Sequence, residues 1–125
     1  MGESGSLVGP FNAWLDAPEA GLALSELGAA VLRFGTSLER RLTEVAIITV
    51  GAAWKAEFEW WAHAPMAREH GVSLVVIEAI AAGEAPPFAR EDEEIVHAVA
   101  SELVRTGRVG QDTYDRALGL LGNQG

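Results

Sequence analysis

The chain has 125 residues, 49% of them hydrophobic, and sets 9 basic against 18 acidic side chains for a net charge of −9. That length suits a single domain, residues 1–125, able to bury about two thirds of the surface its unfolded chain exposes. The charge excludes a basic surface for nucleic acid or anionic membranes, and the absence of cysteine excludes disulfides, thiol catalysis and thiolate metal ligands together.

No apolar run approaches the roughly 20 residues that span a bilayer; the longest, Val45 to Trp54 (VAIITVGAAW), is half that. The opening MGESGSLVGP lacks a charged leader followed by an apolar stretch, so a cytoplasmic protein with no nucleic-acid or membrane partner is expected. The surplus of apolar residues predicts a homo-oligomer interface instead.

In chain order, residues 1–10 read as a flexible lead-in. Pro18 and Glu19 suit a first helical turn, and Leu22, Leu24, Leu27, Val31 and Leu32 carry a helix to about Phe34, where Gly35 ends it. Thr36 and Glu39 have capping-box spacing and open a second helix. Its stripe of Leu38, Leu42, Val45, Ile48 and Ala52 is widened by Ile47 and Val50, so the helix is expected to be buried on most sides. Gly51 to Lys55 reads as a junction. A third helix runs from about Ala56 to His70, kinked by Pro65 and stopped by Gly71. Ser73 caps a fourth, LVVIEAIAAG, closed by Gly83, and EAPPF is an extended connector. Arg90 to Thr106 is a fifth, with Ile95, Val99, Leu103 and Val104 inward, and Asp112 to Leu121 is a sixth. Nothing alternates as a strand does, so the fold is read as all-α.

The third helix, EFEWWAHAPMAREHG, carries the densest chemistry. Glu59 and His63 are one turn apart, on one face with an offset of about 40°. A carboxylate so placed can orient an imidazole for proton transfer. The plainer alternative is a surface Glu–His pair, and spacing alone favours it. Glu44, among Leu42, Val45, Ile47 and Ile48, is either buried with a partner or paired with Arg40 or Arg41 one turn earlier; the local sequence leaves both open. Glu59, His63 and His70 make a poor metal set because Pro65 bends the path between them. The EIVH of Glu94 to His97 has the Glu-x-x-His spacing of di-iron bundles, but only one copy is present. No metal site is expected. Trp60 and Trp61 project about 100° apart, so at most one can share a cavity with Glu59 and His63. The other packs on a neighbouring helix or subunit.

Three segments, PFNAWLDAPEAGLALSELGAAVLRFGTSLERRLTEVAII, EFEWWAHAPMAREHGVSLVVIEAIAAG and DEEIVHAVASELVRTGRV, together resemble the carboxymuconolactone decarboxylase family, which includes the alkylhydroperoxidase D-like proteins. The most specific piece is RLTEVAI followed, after a short gap, by E-W-x-x-H-x-P-x-A-x-x-x-G. The likeness runs from about Gly9 to Leu121 and implies an alkylhydroperoxidase D-like helical bundle of about six helices. Relatives with this pattern resemble longer proteins with a further apolar helix after LGLLGNQG, which would leave this chain relying on oligomerisation to cover apolar surface.

The family's peroxidase-type members relay protons through a glutamate, a Cys-x-x-Cys pair and a histidine four residues after the second cysteine. The resemblance puts that glutamate at Glu44 and that histidine at His63, with the cysteine positions on Ala56 and Glu59. Disulfide-linked peroxide reduction is therefore closed to this chain. What remains, Glu44, Glu59 and His63, suits general acid–base work on a carbon acid. The family's decarboxylases act on a lactone carboxylate without metal or organic cofactor, and none is expected here. The resemblance thus implies catalytic Glu44, Glu59 and His63, and a small-molecule pocket with Trp60, Phe58 and Met66. The candidate anchors for a substrate anion are Arg41, Lys55 and Arg68, of which Arg41 is taken as the binding residue, in a homo-oligomer of two, three or six subunits. The competing expectation is a non-catalytic oligomeric module that kept the fold and binds a small molecule.

Overall fold

The computed structural model describes residues 9–34 and 37–125, without the side chains of residues 32–34, and every regular element among them is helical. The lead-in expected over residues 1–10 lies outside the described residues up to residue 8, and Gly9 and Pro10 already belong to a helical turn. The helices fall into two compact units, one within residues 1–36 and one within residues 37–125.

The first unit holds a 3₁₀ helix, Gly9–Asp16, an α-helix, α1 (Pro18–Gly28), and a wider π-type stretch, Ala29–Phe34. Pro18 opens α1, where its missing N–H has no intrahelical partner to lose. The helical path reaches Phe34 as the sequence predicts, but its register widens after Gly28, a residue with no side chain to hold the tighter turn. Gly21 is buried on Trp14: a Cβ there would stand 2.5 Å from the Trp14 Cβ, so only glycine permits the approach. Phe11 meets the Trp14 ring edge-on at 4.9 Å. Leu22, Leu24, Leu27 and Val31, the apolar series of this helix, remain exposed.

The second unit is built around α2 (Arg40–Ala53), with α3 (Glu57–Glu69), α4 (Leu74–Ala82), α5 (Glu91–Thr106) and α6 (Gln111–Leu121). Helices α3 and α5 pack most extensively on α2, α4 packs on α2 and α3, and α6 packs on α5. The core is Leu42, Val45 and Ile48 of α2 with Ala67, Val72, Val76, Ile77, Ile80, Ile95 and Val96. Eight of the fourteen α2 residues are buried; Leu42, Val45 and Ile48 of the predicted stripe are among them, with Arg41, Thr43, Glu44, Thr49 and Gly51 from outside it. Val50 and Leu103 depart from the expected pattern. Both are exposed and line an apolar groove among α2, α5 and α6.

The α2 helix begins at Arg40 with Glu39 in the cap position, later than the predicted capping box would start it; Thr36 lies outside the described residues. At the junction the chain reverses through Lys55 at φ +53°, and the Ala56 N–H donates to the Gly51 carbonyl at 2.8 Å. A left-handed non-glycine residue costs about 1–2 kcal/mol, offset here by the closed turn. Gly51 faces α3: a Cβ there would lie 3.5 Å from the Glu59 Cβ and 3.8 Å from the Trp60 nitrogen, ordinary van der Waals contact. Pro65 is carried inside α3 without ending it. The carbonyl it leaves unbonded is that of Trp61, an exposed residue that water can reach. Ser73 occupies the α4 cap through its backbone, whose carbonyl accepts from Val76 and Ile77; its side chain makes no cap bond. Gly83 and Gly107 end α4 and α5 in the left-handed conformation.

Candidate active site

Glu44 of α2 is fully enclosed, 0% exposed, although it is a carboxylate. Enclosure of a charge is costly unless partners replace water, and two do. Arg40, one turn earlier, brings Nη2 to 2.6 Å from Oε1, an ion pair that lies off the ideal hydrogen-bond line. His63 of α3 donates from Nδ1 to Oε2 at 2.8 Å. Both readings left open by the sequence therefore hold at once: Glu44 is buried and it is paired with Arg40.

The other ring nitrogen of His63, Nε2, faces Glu59 Oε2 at 3.5 Å. Exposure falls along this row, from 43% at Glu59 to 15% at His63 and 0% at Glu44. Carboxylate, imidazole and carboxylate thus run inward from solvent to Glu44, and the Arg40 guanidinium, 26% exposed, flanks that buried end. The geometry of the row follows from helix spacing. Arg40 and Glu44 are one turn apart on α2, Glu59 and His63 one turn apart on α3, and the packing of α3 on α2 brings the two faces together. With Glu44 accepting at Nδ1, the Nε2 end is left to exchange a proton with Glu59.

Glu59 also lines a hollow of about 480 Å³ with Ala46, Ile47, Val50, Gly51, Trp54 and Ala56. Apart from Glu59 these walls carry no charge. Trp54 escaped the sequence reading; its signal was the one-turn spacing of Ala46, Val50 and Trp54 along α2. Arg40 was seen as a possible ion-pair partner of Glu44, and that is the contact it makes.

The predicted binding residues are dispersed. Trp60 packs against the core and, with Trp61, Arg68 and Leu74, lines a different hollow. Phe58 tilts against the Trp61 ring at 5.9 Å. Met66 stays beside the row, its Sδ 4.0 Å from Arg40 Nη2. Arg41 is the clearest correction. It is buried, its Nη1 and Nη2 holding Asp92 at 3.1 and 2.6 Å, with Glu93 at 2.8 Å and Glu39 at 3.3 Å. The Asp92 carboxylate, against the effect of burial and helped by Glu93, keeps this guanidinium more firmly protonated than usual. Arg41 in turn holds the Asp92 carboxyl below its ordinary range. Arg41 thus clamps α2 to the first turn of α5, with four of the five guanidinium hydrogens engaged by carboxylates of this chain. Among the described residues no group of three or more His, Asp or Glu side chains could hold a metal ion.

The model of the carboxymuconolactone decarboxylase family matches residues 18–101, a span that contains Arg40, Glu44, Glu59 and His63. No curated protein and no solved structure matches the chain.

Proposed function

The chain belongs to the carboxymuconolactone decarboxylase family, and from that premise we propose that it is a cofactor-free acid–base enzyme moving a proton at carbon in a lactone or related carbon acid. The observation that carries this reading is the row of close charged contacts from Glu59 through His63 to Glu44 and Arg40, joined at its centre by the His63–Glu44 hydrogen bond. In the proposed step, the Glu59 carboxylate takes the proton from the carbon next to the substrate carbonyl, and the C–H electron pair moves onto that carbonyl as an enolate. The proton passes to His63 Nε2, and the imidazolium lies between two carboxylates, its Nδ1–H held by Glu44. Returning the proton to a different carbon of the enolate isomerises the substrate; once the proton on the base has exchanged with water, delivery of the solvent-derived proton to the original carbon gives hydrogen exchange.

The hollow at Glu59 has apolar walls and no cation, and Arg41 is committed to Asp92 and Glu93. A neutral unsaturated lactone therefore suits the hollow better than a dicarboxylate does. The same lack of a cation favours a second reading, a binding module for small apolar molecules in which the row is structural. Exposed Leu22, Leu24, Leu27 and Val31 support assembly into a homo-oligomer, as a dimer, trimer or hexamer.

Turnover of a panel of unsaturated lactones and β-keto acids, with His63→Gln and Glu59→Gln beside the parent, separates the two. The enzyme reading expects either variant to lose about a hundred- to ten-thousand-fold in rate with the fold intact. Binding of a lactone without turnover, unchanged in His63→Gln, supports the module.

A further inference from the structure

A second histidine lies on the opposite side of α2 and belongs to no part of the row. Thr49 stands about 140° around α2 from Glu44. Its hydroxyl donates to the Val45 carbonyl at 2.7 Å, which occupies its one hydrogen. At 3.0 Å from His97 Nδ1 it can only accept, so Nδ1 carries the imidazole hydrogen and Nε2 is bare. Ser101, one turn along α5, then donates to Nε2 at 3.3 Å. Burial, beside the Phe88 ring at 5.3 Å, pushes the His97 pKa below its ordinary value.

Thr49, His97 and Ser101 line one side of a hollow of about 550 Å³. Much of the rest is small and apolar, including Ala52, Ala53, Ala81 and Val104. Three charged residues line it: Lys55 after α2, Glu84 after α4 and Arg105 on α5. Two cations against one acid make it locally positive in a chain of net charge −9. Glu93, one turn before His97 on α5, is held by Arg41.

We propose that this hollow is a second ligand site, distinct from the Glu59 row, which takes a small aliphatic carboxylic acid and stores its proton on His97. In the empty site every hydrogen of the Thr49–His97–Ser101 set points inward, so the set offers none to an anion. A proton on Nε2 reverses the Ser101 bond. Nε2–H then donates to Ser101 Oγ, and the freed hydroxyl hydrogen turns to the ligand carboxylate. The O–H bond of the acid breaks and an N–H bond forms, with no change in oxidation state. The imidazolium, otherwise surrounded by hydroxyls and a phenyl ring, gains a counter-ion that Lys55 and Arg105 help to hold. Neither event is favourable alone: the anion has no donor until His97 is charged, and the charge has no partner until the anion arrives. The alanine walls leave room for a short alkyl chain.

The test uses the full chain with butyrate as probe and butyramide as its neutral counterpart of the same shape. His97 imidazole signals, assigned by their loss in His97→Gln, are followed by NMR at about pH 5.5 and about pH 7.5, either side of the ordinary imidazole value. Butyrate is expected to move these signals saturably, with affinity about tenfold or more higher at the lower pH because binding takes up a proton. Butyramide binds weakly and without that dependence. Ser101→Ala, which keeps the imidazole in place, weakens butyrate by about tenfold, and His63→Gln leaves butyrate unaffected. The proposal is overturned if His97 signals do not respond, if butyramide matches butyrate, if affinity ignores pH, or if Ser101→Ala binds as well as the parent.

Discussion

His63 and His97 sit on opposite sides of the same helix and are held in opposite ways. His63 has a carboxylate at each ring nitrogen, whereas His97 has a hydroxyl at each. Carboxylates can balance an imidazolium; hydroxyls can only exchange hydrogen bonds with it. On the proposed function, the row at His63 can therefore balance a charged intermediate. On the further proposal, the set at His97 fixes a neutral ring in one tautomer until a counter-ion arrives. Residue type alone assigns neither role; the partners do.

Replacing Glu44 tests this contrast most severely. Glu44→Leu leaves the Arg40 guanidinium and the His63 Nδ1–H facing an apolar side chain. Arg40, 26% exposed, can turn to water more readily than His63 at 15%, so the expected loss is about 3 kcal/mol, the low end for a broken buried pair, read as a lowered urea midpoint, with Glu44→Gln losing less. The matching change on the other side, Thr49→Val, removes a neutral acceptor from His97 and is expected to cost about 1–3 kcal/mol. Equal losses would break the distinction between a charged and a neutral anchor.

Stability against pH sharpens it further. The folded pKa of His97 is depressed by burial, so the unfolded chain takes up the proton first. Stability is then full above the ordinary imidazole value of about 6.5 and falls as pH drops through the folded value. Urea titrations across that range are expected to show the slope in the parent and a flatter line in His97→Gln. A smaller loss follows at acid pH, where Asp92, held low by Arg41, takes its proton. The sign is the same: stability present above the ordinary carboxylate value and lost as pH falls through the folded one. Arg41→Gln flattens this lower limb without altering the histidine slope.

Much of the architecture was legible before any coordinate. Helix stops at Gly83 and Gly107, the wide buried stripe of α2 and the one-turn spacing of Glu59 and His63 are local properties, and local periodicity reports them. The link between His63 and Glu44, nineteen residues apart, came only through the family pattern. What local pattern could not give is which helices face each other. Arg41 meets Asp92 fifty-one residues later, which turned a predicted substrate anchor into an interhelical clamp. Spacing on α5 drew attention to Glu94 and His97 as a metal pair. The partners His97 actually keeps are Ser101, readable four residues on, and Thr49, forty-eight residues back and invisible to any periodicity. Leu24, Leu27 and Val31 recur at helical spacing, yet all three are exposed.

The central claim is that the row from Glu59 to Glu44 moves a proton at carbon. Its most direct test is deuterium uptake from D₂O at the carbon beside the carbonyl of an unsaturated lactone, followed by proton NMR with the parent and with His63→Gln. The account predicts uptake well above the buffer rate with the parent and a return to near the buffer rate with the variant. Uptake at the buffer rate with a bound lactone, or equal uptake with parent and variant, would contradict it.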